Sequence, residues 1–210
     1  MNLIHKLASV SGRRDEIPNQ ELAKAIALAN DHNAISELVA LLQHTDKAIQ
    51  SDSIKVIYEI GALNPKLVAR HHAALAQLLD SKNNRLQWGA MTALGTIALE
   101  KPEFIFEQLP KLVEVAEKGS VITKDHLMAI LIKLYALPQY ATAIFALFNE
   151  QLLQCATNQL PMYAEQMLPK IGAEHKIQFI QTLTSRLGDI EKETKRKRVE
   201  KVIQKLAKQH

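Results

Sequence analysis

Apolar residues recur three and four apart along nearly the whole chain: Ile35, Leu38, Val39, Leu41 and Leu42, then Ile54, Ile57 and Ile60, then Leu75, Leu78 and Leu79. That period belongs to amphipathic helices, and the positions between are filled by Ala, Leu, Gln, Lys and Glu, which favour helix. The breaks have the chemistry of helix ends. Asn64-Pro65, Lys101-Pro102 and Leu137-Pro138 each stop a helix, because proline pushes the preceding residue out of the α region. Gly61, Gly119, Gly172 and Gly188 are expected near other ends, where a left-handed residue closes a helix. Asp46, Asn64, Asp80 and Asn84 read as caps or turn residues.

The helices repeat. Val56, Ile57 and Ile60 return 37 residues later as Ala93, Leu94 and Ile97, then as Ile130, Leu131 and Leu134, then as Met167, Leu168 and Ile171; a last step of 35 gives Val202, Ile203 and Leu206. The preceding helices keep the same register: Leu38, Leu41 and Leu42 map to Leu75, Leu78 and Leu79, then to Leu112, Val115 and Ala116, and then less well to Asn149, Leu152 and Leu153. A period of this length means stacked helical hairpins, each too small to bury its own apolar stripe. The reading is one all-α solenoid with units at 33–65, 66–102, 103–138, 139–172 and 173–210, each of two helices. Residues 1–31 form an irregular N-terminal hairpin with helices near 2–10 and 19–30. Pro161 suits a helix start, whereas Pro169 inside the same expected helix should kink it, making the fourth unit the least regular.

The second unit carries a family resemblance. Leu75-Ala-Gln-Leu-Leu-Asp80, a polar turn, and Leu86-Gln-Trp-Gly-Ala-Met-Thr-Ala-Leu-Gly-Thr-Ile97 resemble a HEAT repeat, and Leu109-Pro-Lys-Leu-Val113 is similar to its proline-bearing first helix. The chain thus resembles HEAT/armadillo-like repeat proteins, bacterial ones among them. The resemblance implies a right-handed α-solenoid whose second helices line the concave surface. It departs from the family at the turns. The usual aspartate position holds Gln43, Asp80, Glu117, Gln154 and Asp189, and the arginine position holds Gln50, Gln87, Lys124, Pro161 and Arg196. Side-chain amides and caps should hold that edge instead.

Composition narrows the function. The 210 residues are 47% apolar with a net charge of only +4, which excludes a disordered chain. The lone Cys155 can form neither an internal disulfide nor a cysteine zinc site, and it sits in an apolar helical stretch as a small hydrophobe. With no signal-peptide core and no apolar run of bilayer length, the expected location is the cytoplasm, with no membrane contact. The eight histidines, including His71, His72, His175 and His210, contain no i, i+4 pair, and no phosphate-binding glycine loop occurs. No metal, cofactor or catalytic residue is therefore expected.

On the concave face implied by the resemblance, the starts of the second helices bring out Asp52, Trp88, Lys124, Asp125, His126, Tyr163 and Arg198. Trp88, His126 and Tyr163 would form a stripe for a protein partner, since Trp, Tyr and Arg make good anchors. The chain then reads as a noncatalytic protein-interaction scaffold. Residues 176–210 hold ten basic and four acidic side chains, leaving the rest of the chain at −2. That surplus fits the polar outer face of a terminal capping repeat, and it also raises a nucleic-acid alternative. HEAT-like bacterial glycosylases that excise alkylated purines belong to that alternative, although none of their catalytic residues finds a matching motif here. Self-association through the first helix, with Leu3, Ile4 and Leu7, is a third possibility.

Overall fold

The computed structural model describes residues 3–13 and 15–208; His210 of the sequence reading lies outside them. Among the described residues the regular structure is entirely helical: α1 (Ile17–Ala29), α2 (His32–Leu41), α3 (Lys47–Leu63), α4 (Pro65–Ala69), α5 (His72–Gln77), α6 (Asn84–Thr96), α7 (Pro102–Glu107), α8 (Leu109–Lys118), α9 (Val121–Tyr135), α10 (Ala141–Gln154), α11 (Leu160–Met167), α12 (Ala173–Ser185) and α13 (Glu193–Lys208). The fold is an all-α solenoid of helical hairpins. Helices α3, α6 and α9 begin at Lys47, Asn84 and Val121, so the 37-residue apolar period is also the spacing of the second helices. The chain divides into two compact units, Met1–Leu127 and Met128–His210.

In the first unit, α3 packs against α1, α2, α4 and α6. Val56, Ile57 and Ile60 of α3 are fully buried, as are Ala93 and Leu94 of α6 and Ile97 just beyond it. The approach of α3 to α6 depends on two glycines. A Cβ on Gly61 would strike the Thr96 side chain, coming within 2.9 Å of its Cβ, and one on Gly89 would lie 2.7 Å from Cγ1 of Ile54. Both pairs are 35 residues apart, so the helices run parallel with no slip between the two contacts. Gly61 lies in the last turn of α3, near the helix end as expected, but it serves packing and not a left-handed cap. The left-handed C-cap goes to Asn30 instead (φ 50°), whose amide oxygen accepts a hydrogen bond from Asn64 Nδ2 at 3.0 Å. Gly119 and Gly172 do flank helices, but with φ of −96° and −77°.

Side-chain amides close the turns where the family ladder is missing. Gln50 Nε2 donates to the carbonyl of His44 at 2.7 Å, and Gln87 Nε2 donates to that of Leu79 at 2.9 Å. Asn83 Nδ2 donates to Gln50 Oε1 at 3.1 Å and so joins successive turns. Asp46 caps α3, accepting from the Ala48 N–H at 2.8 Å; the cap of α6 is Asn83, one residue before the expected Asn84.

Three expectations fail in this unit. The first helices of its second and third repeats are each broken in two, α4 with α5 and α7 with α8, the breaks falling at Arg70-His71 and Gln108. The N-terminal segment is a 3-10 turn at Leu3–Lys6 followed by further turns, because its backbone is claimed by distant side chains. Leu3 N–H donates to Glu37, Ala8 N–H to Asn19 and Ser9 N–H to Asp52. Leu3 and Leu7 are buried by that docking, so they offer no apolar surface for self-association. The exposed leucines of this unit include Leu28 and Leu63, which border a groove of about 370 Å³ at the C-terminal ends of α1 and α3.

In the second unit, α11 and α12 both pack on α13, and α12 also packs on α10. Pro169 does not kink α11; the helix ends at Met167, two residues ahead of the proline. The register slips there, leaving Leu168 and Ile171 partly exposed, and Leu153 is exposed while Phe145, Phe148 and Leu152 fill the core. Tyr135 accepts the Gly172 N–H at 2.9 Å and bonds His175 Nδ1 at 3.0 Å, while the His175 ring stacks on Phe145. Arg186 caps the end of α10, its guanidinium donating to the carbonyls of Leu152, Leu153 and Cys155. Glu193 pairs with Lys197 at 2.7 Å, and Lys195 donates to Asn158 Oδ1 at 2.6 Å.

The glycine contacts give a direct test. Gly61→Val overpacks the α3–α6 contact and should cost about 1–3 kcal/mol in chemical denaturation. Gly188→Ala, where an added Cβ meets nothing within 4 Å, should leave stability nearly unchanged.

Candidate functional site

The parallel helices α1, α3, α6 and the first half of α9 set their partly exposed residues side by side in the first unit. Tyr58 of α3 and Trp88 of α6 are neighbours, with ring centroids 6.0 Å apart and planes tilted by 46°. Lys55, one turn before Tyr58, places its ammonium 5.0 Å from the centre of the Tyr58 ring. The same ammonium pairs with Glu59 at 2.7 Å and with Glu16 at 3.5 Å. Burial opposes the Lys55 charge, but hydrogen bonds to Glu59 and Tyr58 outweigh it and hold the pKa above the ordinary lysine value. Burial likewise pushes the Tyr58 hydroxyl upward, with Lys55 pulling the other way. Aromatic faces and a fixed cation make a rigid, amphipathic surface that loses little side-chain entropy when it is covered.

His126 of α9 adjoins this surface through α6. The Thr92 hydroxyl donates to the carbonyl of Trp88 at 2.9 Å, one turn back, so the His126 Nε2–H must donate to the Thr92 oxygen at 2.9 Å. That assignment fixes the ring orientation. Burial holds the His126 pKa below the ordinary histidine value, although the Asp125 carboxylate raises it in part. Next to Trp88, a cavity of about 180 Å³ is lined by Asn84, Gln87, Lys118, Ser120 and Thr123 among others.

The residues expected on the concave stripe divide into three groups. Trp88 and His126 are partly exposed and linked through Thr92, with Asp125 beside His126, and Lys124 is exposed on the same helix. Asp52 has a structural role: its two carboxylate oxygens accept from the Ser9 N–H at 2.7 Å and Asn19 Nδ2 at 2.8 Å, tying the N-terminal segment to α3. The remaining two lie in the second unit. Tyr163 is only 1% exposed and belongs to that unit's core, because α11 turns it inward with Leu160, Ala164 and Met167. Its place in an exposed stripe is therefore corrected. Arg198 is exposed but grips Glu165 with two bonds of 2.8 and 2.6 Å, and this pairing holds the Glu165 carboxyl below its usual range.

Lys55 and Tyr58 are the residues that spacing missed. Tyr58 is 30 residues before Trp88, not 37, so register alone does not align them. Tyr58 lies seven residues past Ser51, the 37-residue counterpart of Trp88, so the contact comes from the packing of α3 on α6 and not from repeat spacing.

Two other histidines make local contacts. His72 meets Phe104 edge-on at 4.4 Å and contacts the Ala69 carbonyl, and His44 accepts the Asp46 N–H. Among the described residues no three His, Cys, Asp or Glu side chains come together in a way that could hold a metal. Among them, too, no helix is long and apolar enough to cross a membrane.

No known family profile matches the sequence, and no curated protein is similar to it. Solved structures do share its fold. One engineered protein of the Northeast Structural Genomics Consortium aligns over 99% of this chain and 97% of its own, with a TM-score of 0.67 at 18% identity. A second from the same consortium aligns over 98% and 99%, with a TM-score of 0.63 at 21% identity. A designed armadillo repeat protein aligns over 91% and 92%, with a TM-score of 0.64 at 17% identity. At these identities the likeness is one of fold: an armadillo/HEAT-like helical repeat.

The half-buried imidazole of His126 gives a pH test. Because His126 has its pKa lowered in the folded state, its contribution to stability is complete above about pH 6.5, the free-histidine value. It is lost as pH falls from there through the folded pKa, since the unfolded chain binds the proton first. NMR titration should place His126 below a free histidine, and His126→Gln should flatten this part of the acid limb of stability.

Proposed function

We propose that this chain is a noncatalytic protein-interaction scaffold, with the Lys55–Tyr58–Trp88–His126 face of its first unit as the recognition surface. The observation that carries this reading is the aromatic pair Tyr58–Trp88, partly exposed on parallel helices and braced on both sides by fixed polar contacts. Its anchors are held before a partner arrives, so little freedom is lost on association. The carboxylates that flank the surface are already committed, Asp52 to Ser9 and Asn19 and Glu59 to Lys55. That supports a use in binding over one in acid–base chemistry. The fold adds only general support, since one fold serves many functions.

The experiment is affinity capture from a native lysate with the full chain, in parallel with Trp88→Ala and Tyr58→Ala. A hot-spot truncation costs about 2 kcal/mol or more, roughly a 30-fold loss of affinity. Both variants should keep the helical circular dichroism of the parent and lose the captured protein. Folded variants that retain the same partner at full affinity would refute this surface. Variants that unfold would instead assign Trp88 and Tyr58 to the core.

A further inference from the structure

The second unit carries a charge pattern that a polar cap does not require. Helix α13 buries Val199, Val202 and Leu206 against the unit. On the opposite face stand Lys197, Lys201, Lys205 and Lys208, all exposed. The steps of four, four and three residues keep them on one side of the helix. At 1.5 Å per residue they form a line about 16 Å long. Lys197 pairs with Glu193. Among the described residues, no carboxylate comes within ion-pair distance of Lys201, Lys205 or Lys208.

A solvated cap is best served by alternating charges four apart, as at Glu193 and Lys197. Like charges four apart repel one another and weaken the helix. Lys197, Lys201 and Lys205 are such a run. The Glu165 carboxylate lies close enough to Lys201 and Lys205 to offset them in part, but Arg198 occupies both its oxygens, so neither lysine is paired with it. The arginines of α13 are otherwise engaged, Arg198 with Glu165 and Arg196 toward Glu200 at 3.9 Å. What remains outward is a row of flexible ammonium groups, suited to contacting phosphates as point charges without reading bases.

We infer that the outer face of α13 is a sequence-neutral binding surface for the phosphate backbone of duplex DNA, through Lys201, Lys205 and Lys208, with Lys197 held by Glu193. The geometry favours a linear polyanion over an anionic membrane. Interfacial helices bind lipid by immersing an apolar face. Here that face is spent on the core, and α13 contains no aromatic residue to sit at a lipid interface. The surface is separate from the recognition face of the first unit, so each can fail without the other.

The test is fluorescence anisotropy of the full chain with a labelled 20-base-pair duplex of arbitrary sequence, from 50 to 200 mM salt. Three phosphate contacts give a slope of log K on log salt of about −2.7, roughly a 40-fold loss of affinity across that range. Binding should be equal for unrelated sequences. The variant Lys201→Glu/Lys205→Glu/Lys208→Glu should bind at least tenfold more weakly at 50 mM salt. Its substitutions are all exposed, so circular dichroism should match the parent; a milder Lys→Gln triple variant gives the same reading if it does not. The inference is overturned if the parent fails to bind at 50 mM salt or if the folded variants bind as well as the parent. It is also overturned if vesicles of 30% phosphatidylserine in phosphatidylcholine bind more tightly than the duplex.

Discussion

The close approach of α3 and α6 is the constraint on which the first unit depends. Gly61 and Gly89 remove the two Cβ atoms that would hold these helices apart, one near each end of the contact. Glycine inside a helix costs about 1 kcal/mol relative to alanine, so two such positions need a packing reason. The reason is register. With Thr96 seated at Gly61 and Ile54 at Gly89, α3 and α6 can neither slide nor rotate without a clash, and their outward residues take fixed relative positions. The Tyr58–Trp88 pair is a consequence of that lock, and so is the placement of Thr92 where His126 can reach it.

Around this contact the molecule solves the problem of helix ends with amides. Gln50, Gln87 and Asn83 satisfy carbonyls and one another along the turn edge, and Asn30 with Asn64 does the same at the opposite ends of α1 and α3. Amides hold most of these turns in place of a charged ladder, although Asp80 still pairs with Lys111. At the surface stand Lys55, fixed beside Tyr58 in the first unit, and the lysine row of α13 in the second.

The repeat architecture was legible because burial recurs at a fixed spacing, and Val56, Ala93 and Ile130 are all fully buried. The boundary at Pro65 was legible from local proline chemistry, whereas α6 ends at Thr96, well ahead of Pro102, which opens α7. What escaped was set by tertiary contacts. Glu37, Asn19 and Asp52 capture the N-terminal backbone and keep residues 3–10 from becoming a helix, and nothing local in that segment announces it. The expectation for Tyr163 failed because that position faces inward: its counterpart two repeats earlier, Gly89, is buried too, and α11 sets Tyr163 in the core with Leu160, Ala164 and Met167. Trp88 and His126 could be found by counting, since they sit in regular repeats. Tyr58 and Lys55 could not, because the Tyr58–Trp88 contact depends on how α3 packs on α6, and Lys55 joins it only through Tyr58.

The central claim is that a partner covers Trp88, and the chain's single tryptophan allows that to be observed without a substitution. Incorporating 5-fluorotryptophan gives one fluorine resonance, reporting on Trp88 alone. Adding the captured partner should shift or broaden this resonance in a saturable way and reduce its accessibility to a soluble quencher. A resonance that stays unchanged while the partner binds at saturation would contradict it.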